Sequence, residues 1–395
     1  MPLGLYISVP FCRTKCSYCN FASDVFSKTM FDRYVERVCA DLQNGRSLAE
    51  GAGGRFEHDV DSIYLGGGTP TLLSSQQLER IFVTVRQNFR LLPDAEITVE
   101  CAPGTLTDSV VETLLRCGVN RVSLGIQSFV DQEASSVGRL HKRTTVLEDI
   151  ARLRAAGISN LNLDLIAGLP HQTAQSWQYS LVETISTGAP HVSVYMLEVD
   201  EDSRLGRELL AGGTRYHAHF VPDDELTADL YIEACKRFDS AGVQQYEISN
   251  FARPGFGSRH NLKYWTRQPY LGFGVDAHSM LLSEDNGLDA VRFSTPDSIE
   301  GFVAGGPLEI TRVSPEAALE ESFFLGLRLT SGVGLPGLRA RFGEHLVRGH
   351  CAAIAEAVSE GLLVHEGDRI RLTERGRLLS NEVFAGFLSS PEPVR

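Results

Sequence analysis

The pattern that most constrains this chain is an alternation of short β-rich runs with longer amphipathic stretches between residue 3 and about residue 197. The runs are LYISV (5–9), VDSIYLG (60–66), EITVEC (96–101), VNRVSLGIQ (119–127), ISNLNLDLI (158–166) and HVSVYML (191–197), and helical patterns fall between them at 28–44, 75–90, 107–117, 145–156 and 173–187. Glycine closes several of these helices just before the next strand, as in LLRCGV and LRAAGI. Such alternation makes a parallel sheet covered by helices. Six units are fewer than the eight of a closed barrel, so the pattern predicts an α/β fold built as a partial (β/α)6 TIM-like barrel. Ligands of such folds sit at the carboxyl ends of strands, and here polar and glycine-rich residues follow the strands: GGGTP (66–70), Glu100, Gln127 and Asp164.

Residues 199–222 read as an irregular connector and 223–242 as a helix closed by Gly242. The stretch QQYEISNFARPGFGSRHNLKYW (244–265) mixes aromatic, polar and glycine residues without a clean period, the mark of a site-building segment. Two amphipathic helices (315–329 and 345–360) precede a hairpin in 361–376 that turns at Glu366, Gly367 and Asp368. Helix, helix and hairpin predict a small C-terminal helical, winged-helix-like domain. The expected boundaries are 1–222 for the barrel, 223–310 for a connecting segment and 311–395 for the C-terminal domain.

Composition narrows the function classes. The 395 residues carry a formal net charge of −13, which argues against a general nucleic-acid binder or a binder of anionic membranes. No run of about 18 apolar residues appears, so no transmembrane helix is expected. The first ten residues, MPLGLYISVP, lack a basic segment and read as a strand rather than a secretory leader. Eight cysteines in a chain of this length are not a disulfide framework, and their use fits a reducing cytoplasm.

Three of those cysteines stand together in FCRTKCSYCNF (11–21): Cys12, Cys16 and Cys19. A structural zinc site needs four ligands, and here the fourth would have to be remote, because no histidine precedes His58. A redox pair would use two cysteines and leave Cys12 unexplained. Three thiolates on a short loop suit three irons of a 4Fe-4S cluster with the fourth iron open to a small molecule.

CxxxCxxC with Tyr18 inside it, followed by GGGTP after the second strand, resembles the radical S-adenosylmethionine (SAM) superfamily. The resemblance implies a 4Fe-4S cluster on Cys12, Cys16 and Cys19, with SAM on the open iron and its one-electron cleavage to a deoxyadenosyl radical. YISVPFC, SLGIQSF, NLDLIAGLP and YEISNFARPGFGSRHNLKYW extend the similarity to the coproporphyrinogen III dehydrogenase-like family, which includes a branch of HemW-type haem chaperones. On this resemblance Tyr6, Gly67, Gly68, Thr69, Glu100, Gln127, Arg139 and Asp164 are SAM contacts. The dehydrogenase branch has a fourth cysteine where this chain has Phe21, and it extends further ahead of its first strand. The HNxxYW pattern at His260, Asn261, Tyr264 and Trp265 belongs to the chaperone branch. It implies a haem motif, with His260 as the haem-iron ligand and His278 and His141 as lesser candidates. By residue type alone, His260 equally fits a satisfied loop histidine. The resemblance thus implies a haem chaperone that takes haem or another tetrapyrrole, passes it to acceptors such as respiratory enzymes, and meets a reductant, with membrane contact only through an acceptor. The alternative is oxygen-independent decarboxylation of coproporphyrinogen III to protoporphyrinogen IX.

Overall fold

A computed structural model describes residues 1–198, 200–285 and 287–388. Residue 199 of the expected connector, residue 286 and residues 389–395 of the expected C-terminal domain lie outside the described residues. The six expected strands form as β1 (Leu3–Val9), β2 (Asp59–Gly67), β3 (Arg90–Cys101), β4 (Arg121–Gln127), β5 (Leu161–Ala167) and β6 (His191–Met196). They pair in parallel in chain order. Several of the helices between them start where side chains satisfy free backbone N–H groups. Ser74 and Gln77 cap each other reciprocally at the start of Ser75–Asn88, and Thr173 and Ser176 do the same for Ala174–Thr187.

The sheet continues beyond these six strands. β7 (Gln244–Gln245) and β8 (Asn250–Ala252) follow β6, while β9 (Tyr270–Gly274), β10 (His278–Leu282), β11 (Ala290–Ser294) and β12 (Glu309–Val313) extend the opposite side. β9 runs parallel to β1, whereas β10, β11 and β12 form an antiparallel meander. The twelve-stranded sheet ends on β12 and β7 without closing, which is the partial-barrel architecture. The connector is more regular than expected. Ser203 caps a helix at Arg204–Leu210, and a 3-10 turn follows at Arg215–Phe220.

Side chains alternate across each barrel strand. Leu3, Leu5, Ile7 and Val9 of β1, with Ile63, Leu65, Val122, Leu124, Leu163 and Leu165, join the main core. The alternate positions hold Tyr6, Ser8, Ser62, Tyr64, Thr98, Glu100, Ser123, Asn162, Asp164 and Ser193, so the lumen is polar. The C-terminal unit has its own core around Phe323, Ile354, Leu363 and Ile370, with a small sheet of β13 (Val333–Gly334), β14 (Leu363–Glu366) and β15 (Arg369–Leu372).

Candidate functional site: a cysteine loop over a polar barrel lumen

The cysteine loop leaves β1 at the barrel mouth and is tied down on both sides. The Cys12 N–H donates to Asp24 O (3.0 Å) and the Asp24 N–H to Pro10 O (2.9 Å). On the far side Ser17 N–H donates to Val137 O (3.1 Å), and Thr14 Oγ1 donates to Gly138 O (3.0 Å). Cys12, Cys16 and Cys19 are free thiols, each partly exposed. Burial pushes the Cys12 thiol up, while the hydroxyls of Ser23 and Thr69 beside it work in the opposite direction.

GGGTP joins this loop to the sheet. Gly68 N–H donates to Val9 O (2.8 Å) and Thr69 N–H to Phe11 O (2.7 Å). A Cβ on Gly68 would lie 2.7 Å from Phe11 O and 2.8 Å from Val9 O, so only glycine admits this backbone approach. Gly67, at φ +99°, faces the mouth instead, and its N–H donates to Glu100 Oε2 (3.1 Å).

Glu100 also accepts from Tyr64 Oη (2.7 Å), and its carboxyl is raised to about 7 by burial and the nearby Asp164 carboxylate. Asp164 is raised as well, by burial, although Ser123 Oγ (2.9 Å) and Asn162 Nδ2 (2.7 Å) donate to it. Arg139 stretches its guanidinium toward these acids and the thiols. It donates to Tyr18 Oη (3.1 Å), and its buried Nε has no partner among the described residues. Gln127 sits at the end of β4 with φ 64°, a strained backbone for a non-glycine residue. Tyr6 lines the mouth, with its hydroxyl 3.5 Å from where a Gly67 Cβ would stand. Tyr6, Gly67, Glu100, Arg139 and Asp164 thus share the lumen and its mouth, Gln127 stands beside Arg139, and Gly68 and Thr69 brace the cysteine loop.

Among the described residues, no three His, Cys, Asp or Glu side chains are grouped to hold a single metal ion. A cluster asks for something different, because each thiolate binds its own iron. Three thiols on a loop fastened at both ends, a glycine-walled mouth, a buried guanidinium with its Nε left without a partner and two carboxyls raised by burial fit a cluster with a zwitterionic, cationic ligand beside it.

The Radical SAM superfamily model matches residues 6–181, and the HemN C-terminal domain model matches 313–379. The chain is 34% identical over 387 residues to the heme chaperone HemW of Bacillus subtilis (strain 168), covering 97% of this chain and 98% of that one. This chain belongs to the HemW heme-chaperone family. The Escherichia coli (strain K12) HemW is 32% identical over 392 residues, with 98% of each chain covered. The solved structure of coproporphyrinogen III oxidase (HemN) from Escherichia coli shares the fold, with a TM-score of 0.82 at 22% identity over 98% of this chain and 90% of that one.

In this HemW-family chain the HNLKYW residues form a helix, Arg259–Trp265, that closes the barrel floor. His260 is 1% exposed. Its Nδ1 meets Ser62 Oγ (3.1 Å) and its Nε2 meets Tyr264 Oη (2.8 Å), so both ring nitrogens are engaged. Burial and the neighbouring Lys263 ammonium lower it to about 3, which keeps the ring neutral. Gly4 of β1 makes room for the helix, since a Cβ there would lie 2.8 Å from Lys263 Cδ. Asn261 lies in the first turn, its N–H capped by Ser258 Oγ. Trp265 turns away to the C-terminal unit, where the Arg328 guanidinium lies 4.3 Å from its ring centroid. Only Tyr264 of the four lines the mouth cavity, about 360 Å³, together with Tyr6, Phe21, Tyr270, Asp276 and His278. His141 is buried under β4, where its Nε2 meets Ile126 O (3.1 Å).

Several site residues were not singled out in the sequence: Ser8, Ser62, Tyr64, Tyr270 and Asp276. For the first three a signal existed, since polar residues at every second position of an apolar strand point into a lumen. Tyr270 and Asp276 carried no such signal, because β9 and the turn after it join β1 only in three dimensions.

Proposed function

We propose that this chain is a radical-SAM-type haem chaperone that carries a 4Fe-4S cluster and SAM in its barrel and passes haem to acceptor proteins such as respiratory enzymes. The similarity to proteins named heme chaperone HemW, along essentially the whole length of both chains, carries this reading. The exposed Phe21 at the mouth supports it, because the fourth cysteine of the dehydrogenase pattern would stand there.

Cys12, Cys16 and Cys19 would hold the cluster, which together with SAM supplies one-electron cleavage chemistry when bound. The chain's own side chains do the rest. Tyr64 and the Gly67 amide fix Glu100, Ser123 and Asn162 fix Asp164, and both carboxylates face the lumen as partners for a cationic ligand. Arg139 offers the complementary charge beside the thiols. A reductant would serve the cluster. No helix among the described residues is long and apolar enough to cross a membrane. In this reading the working compartment is the cytoplasm and membrane contact comes through an acceptor.

The test is a pair of anaerobic assays on cluster-loaded protein: turnover of coproporphyrinogen III with SAM and a reductant, and haem titration followed by transfer to an apo-acceptor. Tight haem binding and transfer without decarboxylation is the expected result. Multiple-turnover protoporphyrinogen formation would make the chain a dehydrogenase instead.

A further inference from the structure

The stretch of the cysteine loop between Cys12 and Cys16 lies outside the mouth cavity and against two other loops of the barrel. Arg13 donates to Gly104 O (3.2 Å), after β3, and Thr14 Oγ1 donates to Gly138 O (3.0 Å), after β4. The two loops meet each other as well, since a Cβ on Gly104 would stand 3.3 Å from Thr145 Cγ2 in the first turn of the helix Arg143–Ala155. That helix is entered through Lys142, an exposed N-cap, and Leu140 just before it is 68% exposed. Arg13, Leu140 and Lys142 therefore share one surface patch, bordered by the loop that carries the thiols.

The patch is cationic, and its charge is not neutralised locally. Among the described residues Arg13 meets only the Gly104 carbonyl, and the Lys142 side chain has neither a hydrogen bond nor an ion pair. Lys15, one residue before Cys16, donates to Phe21 O (3.2 Å) and to no carboxylate. The acids beside the patch are already engaged. Asp149 accepts from Gly104 N–H (2.6 Å) and Arg152 Nη1 (2.7 Å), and Asp131 accepts from Arg143 N–H (2.7 Å). Free surface cations are ordinary by themselves; the position of these is not. In a chain of net charge −13, whose field repels anionic partners, a cationic patch with an exposed leucine at its centre stands where the thiol loop reaches the surface. Opposite charges steer an acidic partner to such a patch, and the apolar residue supplies a contact that excludes water once it arrives.

We propose that this patch docks a small acidic one-electron carrier protein that reduces the cluster. The inference rests on the reading of Cys12, Cys16 and Cys19 as cluster ligands, and it gives the reductant of that reading a place to bind. One electron leaves the reduced flavin or iron–sulfur centre of the carrier and enters the cluster. The patch and the mouth cavity share no residue, so a docked carrier leaves the barrel open to its own ligands.

The experiment is anaerobic reduction of the cluster-loaded, full-length chain, followed as bleaching of its visible absorption, with reduced flavodoxin or reduced ferredoxin as the carrier and dithionite as a small-molecule control. Calorimetric binding of oxidised flavodoxin to the same protein is the second readout. The variants are Lys142→Glu and Leu140→Ser, with Lys236→Glu, exposed on the helix Asp224–Ser240, as the charge control. A negative charge suits the start of a helix, so Lys142→Glu leaves the fold intact. It is expected to slow reduction by the carrier about tenfold at low salt and to flatten the salt dependence, with the dithionite rate and the iron and sulfide content unchanged. Leu140→Ser should weaken flavodoxin binding several-fold and keep the salt dependence, and Lys236→Glu should match wild type. A chain that holds no cluster, or whose cluster dithionite cannot reduce, would overturn the cluster reading and this face with it. Reduction by dithionite but by neither carrier, or equal carrier rates in Lys142→Glu and wild type, would overturn the face alone. So would phosphatidylglycerol vesicles that bind wild type and not Lys142→Glu while carrier reduction is unaltered, since the patch would then belong to a lipid surface.

Discussion

Replacing Glu100 with glutamine should change how the stability of the cofactor-free protein depends on pH, in a direction set by the lumen. The Glu100 carboxyl moves from its ordinary 4.5 to about 7, first because burial penalises its charge and further because Asp164 is close. A folded-state value above the unfolded one means that this carboxyl contributes fully to stability below pH 4.5. That contribution is lost as pH rises through about 7, because the folded protein must then ionise a group that resists it. The difference in pKa corresponds to ~3 kcal/mol at most. Glutamine keeps the local bonds, since its oxygen can take the Gly67 N–H and its amide can donate to a reoriented Tyr64 hydroxyl. Chemical denaturation of both forms at pH 5 and pH 8 is the assay. The two should be similar at pH 5, and Glu100→Gln should be the more stable at pH 8 by up to ~3 kcal/mol. A difference that stays flat between those pH values, or that favours wild type at pH 8, would refute the account of an uncompensated carboxylate. In that case Arg139, which already acts on Glu100, compensates its charge in full.

Other consequences are equally direct. Cys12→Ala, Cys16→Ala or Cys19→Ala should each abolish the cluster, read as iron and sulfide content and visible absorption after reconstitution. Gly68→Ala should cost ~1–3 kcal/mol, because the obstructing atoms are backbone oxygens that cannot swing away, and cluster retention should fall as the exit of β1 shifts. Arg328→Ala should destabilise the chain by ~3–5 kcal/mol. It strands Glu247, which is 0% exposed and 3.6 Å from the Arg328 guanidinium, and Glu247→Gln in the same chain should recover much of the loss in a denaturation series.

Local pattern determined the elements. The six barrel strands and the five expected helices up to Thr187 follow from apolar periodicity, capping residues and terminal glycines, all of which act over a few neighbours, whereas the short helices Gly45–Gly51 and Asp131–Ser136 carried no such signal. The thiol spacing likewise placed Cys12, Cys16 and Cys19 on one loop, since two- and three-residue gaps leave little choice. The segment from 270 to 313 was not legible in the same way. Its four strands are short, and β9 belongs beside β1 only because the chain returns there across more than 260 residues.

Roles within the site divided along the same line. Residue type and motif marked His260 as a ligand candidate, but whether an imidazole is open depends on what surrounds it. Folding buries this one against Ser62 and Tyr264 from distant and adjacent turns. Trp265, its neighbour in the motif, instead packs under Arg328 of the C-terminal unit. His171 and His217 show the converse, unremarkable in a chain 46 residues apart and in contact once β5 and the connector are folded over the cysteine loop. Sequence by itself determined which chemistry the chain carries, through short-range spacing and strand period. Tertiary structure decided which of those groups are desolvated, paired or left open, because burial and long-range pairing are properties of the packed chain.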